Sequence, residues 1–271
     1  MSAAPIGPAW RGREKDKLDA FVTRKILKKQ GGFSEEADDF VAVEKKLKVS
    51  VNGKEVLGLY CTPSMLRELI VGFFFTEGII TGNFCFDEIA IKYGEEDITA
   101  DIPARGEVKT EGFTVTSGCV GGLTFNGKKD FKKITDGFSL KAAVIENIFK
   151  EFQQRGELYR LTGCIHSAAL SDGEKILVFA EDIGRHNAVD KVIGHCILEE
   201  IPFAGKLMLV SGRLSSEIAS KCSRWGIPIV ASKTAPTDLA IKISEASGVT
   251  LVGFVRGQRM NIYTNTQRII I

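Results

Sequence analysis

"KLMLVSGRLSSEIASKCSRWGIPIVASKTAPTDLAIKISEASGVTLVGFVR", residues 206 to 256, is the stretch that decides the fold class. Three apolar runs in it, "KLMLV", "IPIV" and "VTLVGF", alternate with two segments of helical pattern. Parallel strands need a crossover of a dozen or more residues, usually a helix, so this alternation is typical of a βαβαβ unit. We therefore predict an α/β fold whose core is a mixed, largely parallel sheet covered by helices.

The whole chain is predicted to have three parts. Residues 1–30 have the composition of a basic N-terminal arm, and residues 31–127 that of a smaller α+β region that ends in a loop containing Cys119. Residues 128–271 contain the α/β core, which we expect to hold the binding site.

Local signals place several elements within these parts. "KLKVSVNGKEVLGLYC" alternates around Asn52-Gly53, a pair that favours a type I′ hairpin. Thr62 and Pro63 then favour the start of a helix. Further along, "YRLTGCIHSAAL" and "KILVFAED" are predicted to form a strand pair that turns at Ser171-Asp172-Gly173.

Composition excludes some classes of function. Hydrophobic residues make up 44% and charged residues 26% of the chain, as in ordinary globular proteins. The formal net charge of +2 is too small to indicate a nucleic-acid or membrane-surface partner. No apolar run is long enough to span a bilayer, and the N-terminus lacks the apolar core of a signal peptide, so we expect a cytoplasmic protein.

Four loops that follow predicted strands carry cations together with small polar residues. They are "EDIGRHN" at 181–187, "SGRLSS" at 211–216, "SKTAPT" at 232–237 and "VRGQR" at 255–259. Loops at the carboxyl ends of strands line the binding crevice of such sheets, and helix N-termini there attract anions. The pattern predicts a site for a large ligand with several negative charges.

Each of these residues also has a local explanation. Asn187, Ser216 and Thr237 are common helix caps, and a surface pair between Arg185 and Glu181 would explain that arginine. One such loop would be weak evidence, but four in register after successive strands favour the anion site.

The histidines leave two interpretations open. His186 is explained either by the site or by an ordinary surface hydrogen bond, and His195 falls in a helix and is expected to be structural. His166 lies in a run of small residues, "TGCIHSAAL", where a ligand can approach closely. The residues alone favour neither a binding nor a structural role for His166.

Six cysteines stand at positions 61, 85, 119, 164, 196 and 222, with no metal-ligand spacing between them. We therefore predict free thiols and no zinc, and expect Cys61, Cys164 and Cys196 to be small core residues. Cys119 differs, because the backbone N–H groups of its loop, "SGCVGG", can stabilise a thiolate. A loop that only turns the chain explains the same residues, and spacing alone slightly favours that explanation.

Taken together, the motifs resemble a known family, the formate dehydrogenase accessory sulfurtransferases (FdhD). The resemblance rests on "CTPSMLRELIVGFFFTEGII", "TGCIHSAAL", "EDIGRHNAVDKVIG", "SGRLSSEIASKC", "GIPIVASKTAPTDLAI" and "TLVGFVRGQRMNIYT". It implies a cytidine-deaminase-like layered core and a homodimer. It also implies that a loop cysteine accepts sulfur as a persulfide from a cysteine desulfurase. The sulfur is then passed to the molybdenum (or tungsten) bis-guanine-dinucleotide pterin cofactor for formate dehydrogenase.

The resemblance assigns the site residues by position. Cys119 matches the sulfur-carrying cysteine. The cofactor-binding residues are predicted to be Phe254, Val255, Arg256, Gly257, Gln258 and Arg259, with Arg185, His186, Arg213 and Lys233. Many family members have a Cys-Gly-x-Cys-Gly loop, whereas "SGCVGG" has one thiol. A loop disulfide is therefore excluded here, while a second thiol elsewhere, such as Cys164, stays open.

Two other functions are alternatives to sulfur transfer. A zinc-dependent nucleotide deaminase needs a His-x-Glu and a Pro-Cys-x-x-Cys, and neither occurs in the chain. A non-catalytic chaperone that only binds the cofactor would use the same four loops and make Cys119 dispensable. This second alternative stays open.

Overall fold

The computed structural model describes residues 19–81, 86–103, 107–108, 113–116, 122–125 and 133–271. The predicted loop around Cys119 lies outside the described residues. The N-terminal region contains strands β1 (Phe21–Gln30), β2 (Phe33–Ala42), β3 (Lys45–Val51) and β4 (Lys54–Cys61), followed by helix α1 (Leu66–Glu77) and strands β5 (Ile80–Thr81), β6 (Ala90–Tyr93), β7 (Asp97–Ile102), β8 (Glu107–Val108), β9 (Phe113–Thr116) and β10 (Gly122–Phe125).

The C-terminal region contains the longer helices and the largest sheet. Its elements are β11 (Leu140–Lys141), α2 (Ala142–Arg155), α3 (Glu157–Thr162), β12 (His166–Ser171), β13 (Ile176–Asp182), α4 (Arg185–Leu198), β14 (Leu207–Val210), α5 (Ser216–Arg224), β15 (Ile229–Ser232), α6 (Asp238–Ser247), β16 (Thr250–Arg256), β17 (Arg259–Ile262) and β18 (Ile269–Ile270).

The end of the predicted basic arm is a strand. Residues 21–30 form β1, which pairs antiparallel with β2 over its whole length. The pairing sets basic residues opposite acidic ones, as in Lys25 opposite Asp38, with 3.1 Å between Nζ and Oδ1. Opposite charges across a strand pair contribute weakly, and this charge pattern suits the pairing of the basic segment with an acidic strand.

The predicted hairpin between β3 and β4 is confirmed. Asn52 and Gly53 have φ angles of 50° and 77°, the positive values that a type I′ turn requires. The strands belong to a four-stranded sheet in the order β4-β3-β7-β6. Its core includes Leu47, Val49 and Ile98, which pack with Leu69 and Phe74 of α1.

Helix α1 starts later than Thr62 and Pro63 predict. Met65 occupies the N-cap in the left-handed region, with φ 51°. The hydroxyl of Thr62 instead accepts a hydrogen bond from the distant N–H of Ile183, at 3.1 Å. A tertiary contact therefore replaces the local cap.

The core sheet has six strands in the order β13-β12-β14-β15-β16-β17. It is mixed, as predicted, but "largely parallel" is wrong, because only β14–β15 and β15–β16 are parallel. The pairs β12–β13, β12–β14 and β16–β17 are antiparallel. Short turns join β12 to β13 and β16 to β17, and such turns permit only antiparallel pairing.

Helices cover both faces of this sheet, as predicted. One face packs against α4, α5 and α6 through residues such as Leu170, Met208 and Val230. The other packs against α2, where Ile145 and Phe149 meet Ala169, among others. The more specific prediction of cytidine-deaminase-like layering stays a prediction.

Helices α1 and α4 connect the two regions at very close range. A Cβ atom on Gly72 would lie 1.8 Å from the carbonyl oxygen of Asp190, and one on Gly194 would lie 1.8 Å from that of Glu68. Beside this contact, buried Lys221 pairs with Asp190 at 2.7 Å and with Glu77 at 2.9 Å. The N-terminal region is thus held against the α/β core by both packing and charge.

Candidate functional site

The turn between β13 and α4 is held by a buried ion pair. Asp182 Oδ2 and Lys191 Nζ lie 2.7 Å apart, and both side chains are fully buried. The N–H of Thr62 donates to the same carboxylate at 3.1 Å, while Lys191 donates to the Thr62 carbonyl at 3.2 Å. Asn187 donates to Asp182 Oδ1 and to the Tyr60 carbonyl, both at 2.9 Å. Three of the polar residues in "EDIGRHNAVDK" therefore fix the turn to the end of β4.

Glu181 binds backbone groups of α3. Its two carboxylate oxygens accept the N–H groups of Leu158 at 3.1 Å and Tyr159 at 3.0 Å. Burial raises the pKa of Glu181, while these hydrogen bonds act in the opposite direction. In the described structure this carboxylate serves as an anchor for α3.

Arg185 and His166 both lie against Gly212. Three of the cationic loops, 181–187, 211–216 and 232–237, converge here. A Cβ on Gly212 would lie 3.1 Å from Cβ and Cδ of Arg185 and 3.4 Å from Nδ1 of His166, so glycine permits this approach. The His166 ring is also 3.2 Å from the hydroxyl of Ser211. Burial lowers the pKa of His166, and the nearby positive charges of Arg185 and Lys233 lower it further. The site therefore combines an imidazole whose protonated form is disfavoured with two cationic side chains.

His186 connects the starts of two helices. Its Nε2 atom lies 3.2 Å from the hydroxyl of Ser215, at the N-cap of α5, and 3.9 Å from Oε2 of Glu217. Burial lowers the pKa of His186 to about 3, with the charges of Lys221 and Arg185 acting in the same direction. A neutral histidine that joins α4 to α5 fits a supporting role, and its predicted cofactor contact stays a prediction.

Two aromatic rings flank the cations of the remaining loops. Lys233 Nζ lies 5.1 Å from the ring centre of Tyr159, and the Arg259 guanidinium lies 5.9 Å from that of Phe254. Phe254 has a φ angle of 53° and donates its N–H to the carbonyl of Thr234 at 3.1 Å. The end of β16 is thus tied to the loop that carries Lys233.

The remaining predicted site residues differ in accessibility. Arg213, Arg256, Gly257, Gln258 and Arg259 are exposed, whereas Val255 is buried in the core against α2. Exposed side chains beside the cationic loops are accessible to a ligand, while Val255 can contribute only through its backbone. Cys119 cannot be placed, because it lies outside the described residues.

The cysteines that the structure describes fall into two groups. Cys61, Cys196 and Cys222 are buried, and burial raises the pKa of the Cys196 and Cys222 thiols to about 12, so they are poor nucleophiles. Cys164 is exposed, contrary to the prediction that it is a core residue. It lies in the turn between α3 and β12, before the strand enters the sheet.

Three residues of this region were missed by the sequence analysis as site residues. Tyr159 contacts Lys233, Ser211 binds His166, and Glu217 faces His186. Ser211 stands in one of the four loops, so its strand-end position was a usable signal. Tyr159 and Glu217 lie within helices, and their positions in the sequence give no such signal.

No three His, Cys, Asp or Glu side chains among the described residues are grouped so that they could hold a metal ion. None of the helices that the structure describes is long and apolar enough to cross a membrane.

The fold and the loop cluster define an α/β protein with a cationic site at one edge of its main sheet. Residues 42–270 match the FdhD/NarQ family, and the chain belongs to this family. The sulfur carrier protein FdhD of Bacillus pumilus is 38% identical over 247 residues, covering 89% of this chain and 94% of the relative. That of Bacillus subtilis is 35% identical over 260 residues, covering 94% and 98%.

A solved structure has the same fold. The crystal structure of a protein from Desulfotalea psychrophila, described as a formate dehydrogenase accessory protein, superposes with a TM-score of 0.75 at 28% identity. The match covers 93% of this chain and all of that one, 100%. The predicted resemblance to the FdhD family is confirmed.

Proposed function

We propose that the protein is a sulfur carrier in the maturation of formate dehydrogenase. It accepts sulfur from a cysteine desulfurase as a persulfide on Cys119 and transfers it to the molybdenum (or tungsten) bis-guanine-dinucleotide pterin cofactor. The relatives are named sulfur carrier protein FdhD, which supports the sulfur-carrying role. The cofactor is here the substrate of the protein and not a resident group.

The observation that carries the proposal is that Arg185 and His166 both lie against Gly212, while the loop that carries Lys233 is bonded to the Gly212 carbonyl through Ser232 and Thr234. A bis-guanine dinucleotide carries several phosphates, and guanidinium and ammonium groups bind phosphate through charge-assisted hydrogen bonds. The first turns of α4, α5 and α6 begin at the same edge and add the positive ends of their dipoles. This arrangement supports a polyphosphate substrate.

The first chemical step needs a thiolate at Cys119. The thiolate attacks the terminal sulfur of the desulfurase persulfide, the S–S bond of that persulfide breaks, and the desulfurase thiolate leaves. Cys119 then carries the persulfide and presents its terminal sulfur to the bound cofactor. A two-electron reductant, such as a small thiol, would then cleave the S–S bond, so that the terminal sulfur passes to the cofactor at the sulfide level and the Cys119 thiolate is regenerated. A reducing cytoplasm would keep Cys119 free for this reaction. We also propose that the protein forms a homodimer.

The test is the maturation of formate dehydrogenase by two variants, in each of which one cysteine is replaced by alanine. Cys119→Ala should abolish formate dehydrogenase activity while the variant still binds the cofactor. Cys164→Ala is the matched control, because Cys164 is the exposed thiol among the described residues, and it should retain activity. Full activity with Cys119→Ala would contradict sulfur transfer through this residue and favour the cofactor-binding chaperone.

A further inference from the structure

Lys233 is held by an aromatic ring and not by a carboxylate. Its Nζ atom lies 5.1 Å from the ring centre of Tyr159. In the part of the chain that the structure describes, no carboxylate lies within ion-pair distance of Lys233. This distinguishes it from Lys191 and Lys221, whose charges are balanced by buried acids.

The backbone that carries Tyr159 is anchored by Glu181. Helix α3 has six residues, too few to be stable alone, and Glu181 accepts the N–H groups of both Leu158 and Tyr159. The side chain of Glu181 thus anchors the backbone of the helix that carries Tyr159.

We propose that Tyr159 is a positioning residue that directs Lys233 toward the anionic substrate without neutralising its charge. A lysine ammonium sits on a flexible four-carbon stem, so an unrestrained Lys233 would lose much conformational freedom on binding. A carboxylate would restrain it but cancel its charge, whereas a ring face attracts the cation and leaves the full charge for phosphate. This inference rests on the proposed function, in which the substrate carries guanine nucleotide phosphates.

The test is a double-mutant cycle on the binding of guanosine diphosphate, measured by titration calorimetry on the full chain. Tyr159→Leu should raise the Kd about two- to fivefold, the range expected for an exposed cation–π contact. Tyr159→Phe keeps the ring and should bind as the wild type does. Tyr60→Leu is the matched control, because Tyr60 is 44% exposed against 45% for Tyr159 and lies on β4.

The decisive comparison is made in a Lys233→Met background. If Tyr159 acts through Lys233, Tyr159→Leu should cause no further loss there. Glu181→Gln, which keeps only one of the two acceptors, should weaken binding in the wild-type background and not in Lys233→Met. This second variant tests the same claim if Tyr159→Leu fails to fold.

Two outcomes would overturn the inference, and they differ in what else they affect. An equal loss from Tyr159→Leu in both backgrounds would mean that Tyr159 acts independently of Lys233, and the proposed function would stand. No binding of guanosine diphosphate by the wild-type protein would overturn the inference together with the proposed nucleotide site.

Discussion

Asp182 and Lys191 form an ion pair with 2.7 Å between Oδ2 and Nζ, and neither side chain is exposed to solvent. The pair lies nine residues apart in the chain, across the first turns of α4, and both members also bind the backbone of Thr62. The motif "EDIGRHNAVDK" is therefore first of all a joint between the N-terminal sheet and the site.

Lys191→Met should destabilise the protein strongly. It leaves the Asp182 carboxylate buried without its cation, which typically costs about 3–5 kcal/mol. The midpoint of urea unfolding, followed by circular dichroism, measures the change. Lys25→Met, which removes an exposed ion pair with Asp38, is the matched control and should leave the midpoint almost unchanged. Equal midpoints for the two variants would refute the importance of the buried pair.

Gly72→Ala should loosen the contact between α1 and α4. Its Cβ would lie 1.8 Å from a backbone oxygen, which cannot move without shifting a helix, and such overpacking costs about 1–3 kcal/mol. Gly58→Ala is the control, because the nearest atom to its Cβ is 3.7 Å away. Melting temperatures compare the two, and a Gly72→Ala protein as stable as Gly58→Ala would contradict the close packing.

His186 should make the protein sensitive to acid. Its folded pKa is lowered to about 3, so between that value and its ordinary 6.5 the unfolded chain binds a proton that the folded protein does not. The contribution of His186 to the free energy of unfolding is therefore fully present above pH 6.5. It decreases as the pH drops toward 3, by at most about 1.4 kcal/mol per pH unit. Burial is the main cause of this pKa shift; among the groups that face His186, the charges of Lys221, Arg185 and His166 act in the same direction and that of Glu217 opposes them. The pKa of His166 is also lowered.

Unfolding measured across this pH range tests the prediction. His186→Gln should flatten the dependence in part, leaving the contribution of His166. Leu239→Gln, at an exposed position of α6, changes no titratable group, so it serves as the control and should keep the wild-type slope. A wild-type slope in His186→Gln would show that His186 does not stay neutral in the folded protein.

Much of the fold was predictable because its signals are local. The Asn52-Gly53 turn is set by two residues, and Thr237 caps α6 by accepting the N–H of Ala240 at 3.3 Å. The start of α1 was not, because Thr62 bonds to Ile183, 121 positions along the chain. The direction of strand pairing also failed, since apolar runs alone do not tell a hairpin from a crossover.

The site shows the same division. Strand-end position correctly grouped the loops of Arg185, Ser211 and Lys233, because strand ends in one sheet share an edge. It could not separate ligand-facing side chains from supporting ones: Asp182 and Asn187 hold the turn, and His186 joins two helices. The contact between Tyr159 and Lys233 depends on where α3 packs, which no local pattern encodes.

The central claim is that Cys119 carries the transferred sulfur, and mass spectrometry tests it most directly. The protein is incubated with a cysteine desulfurase and cysteine, then examined intact and as peptides. We predict a gain of one sulfur atom, roughly 32 Da, located on Cys119 and absent from Cys119→Ala, since a reactive thiolate is the acceptor. A protein that binds the cofactor but gains no sulfur on Cys119 would contradict the account and indicate a cofactor-binding chaperone.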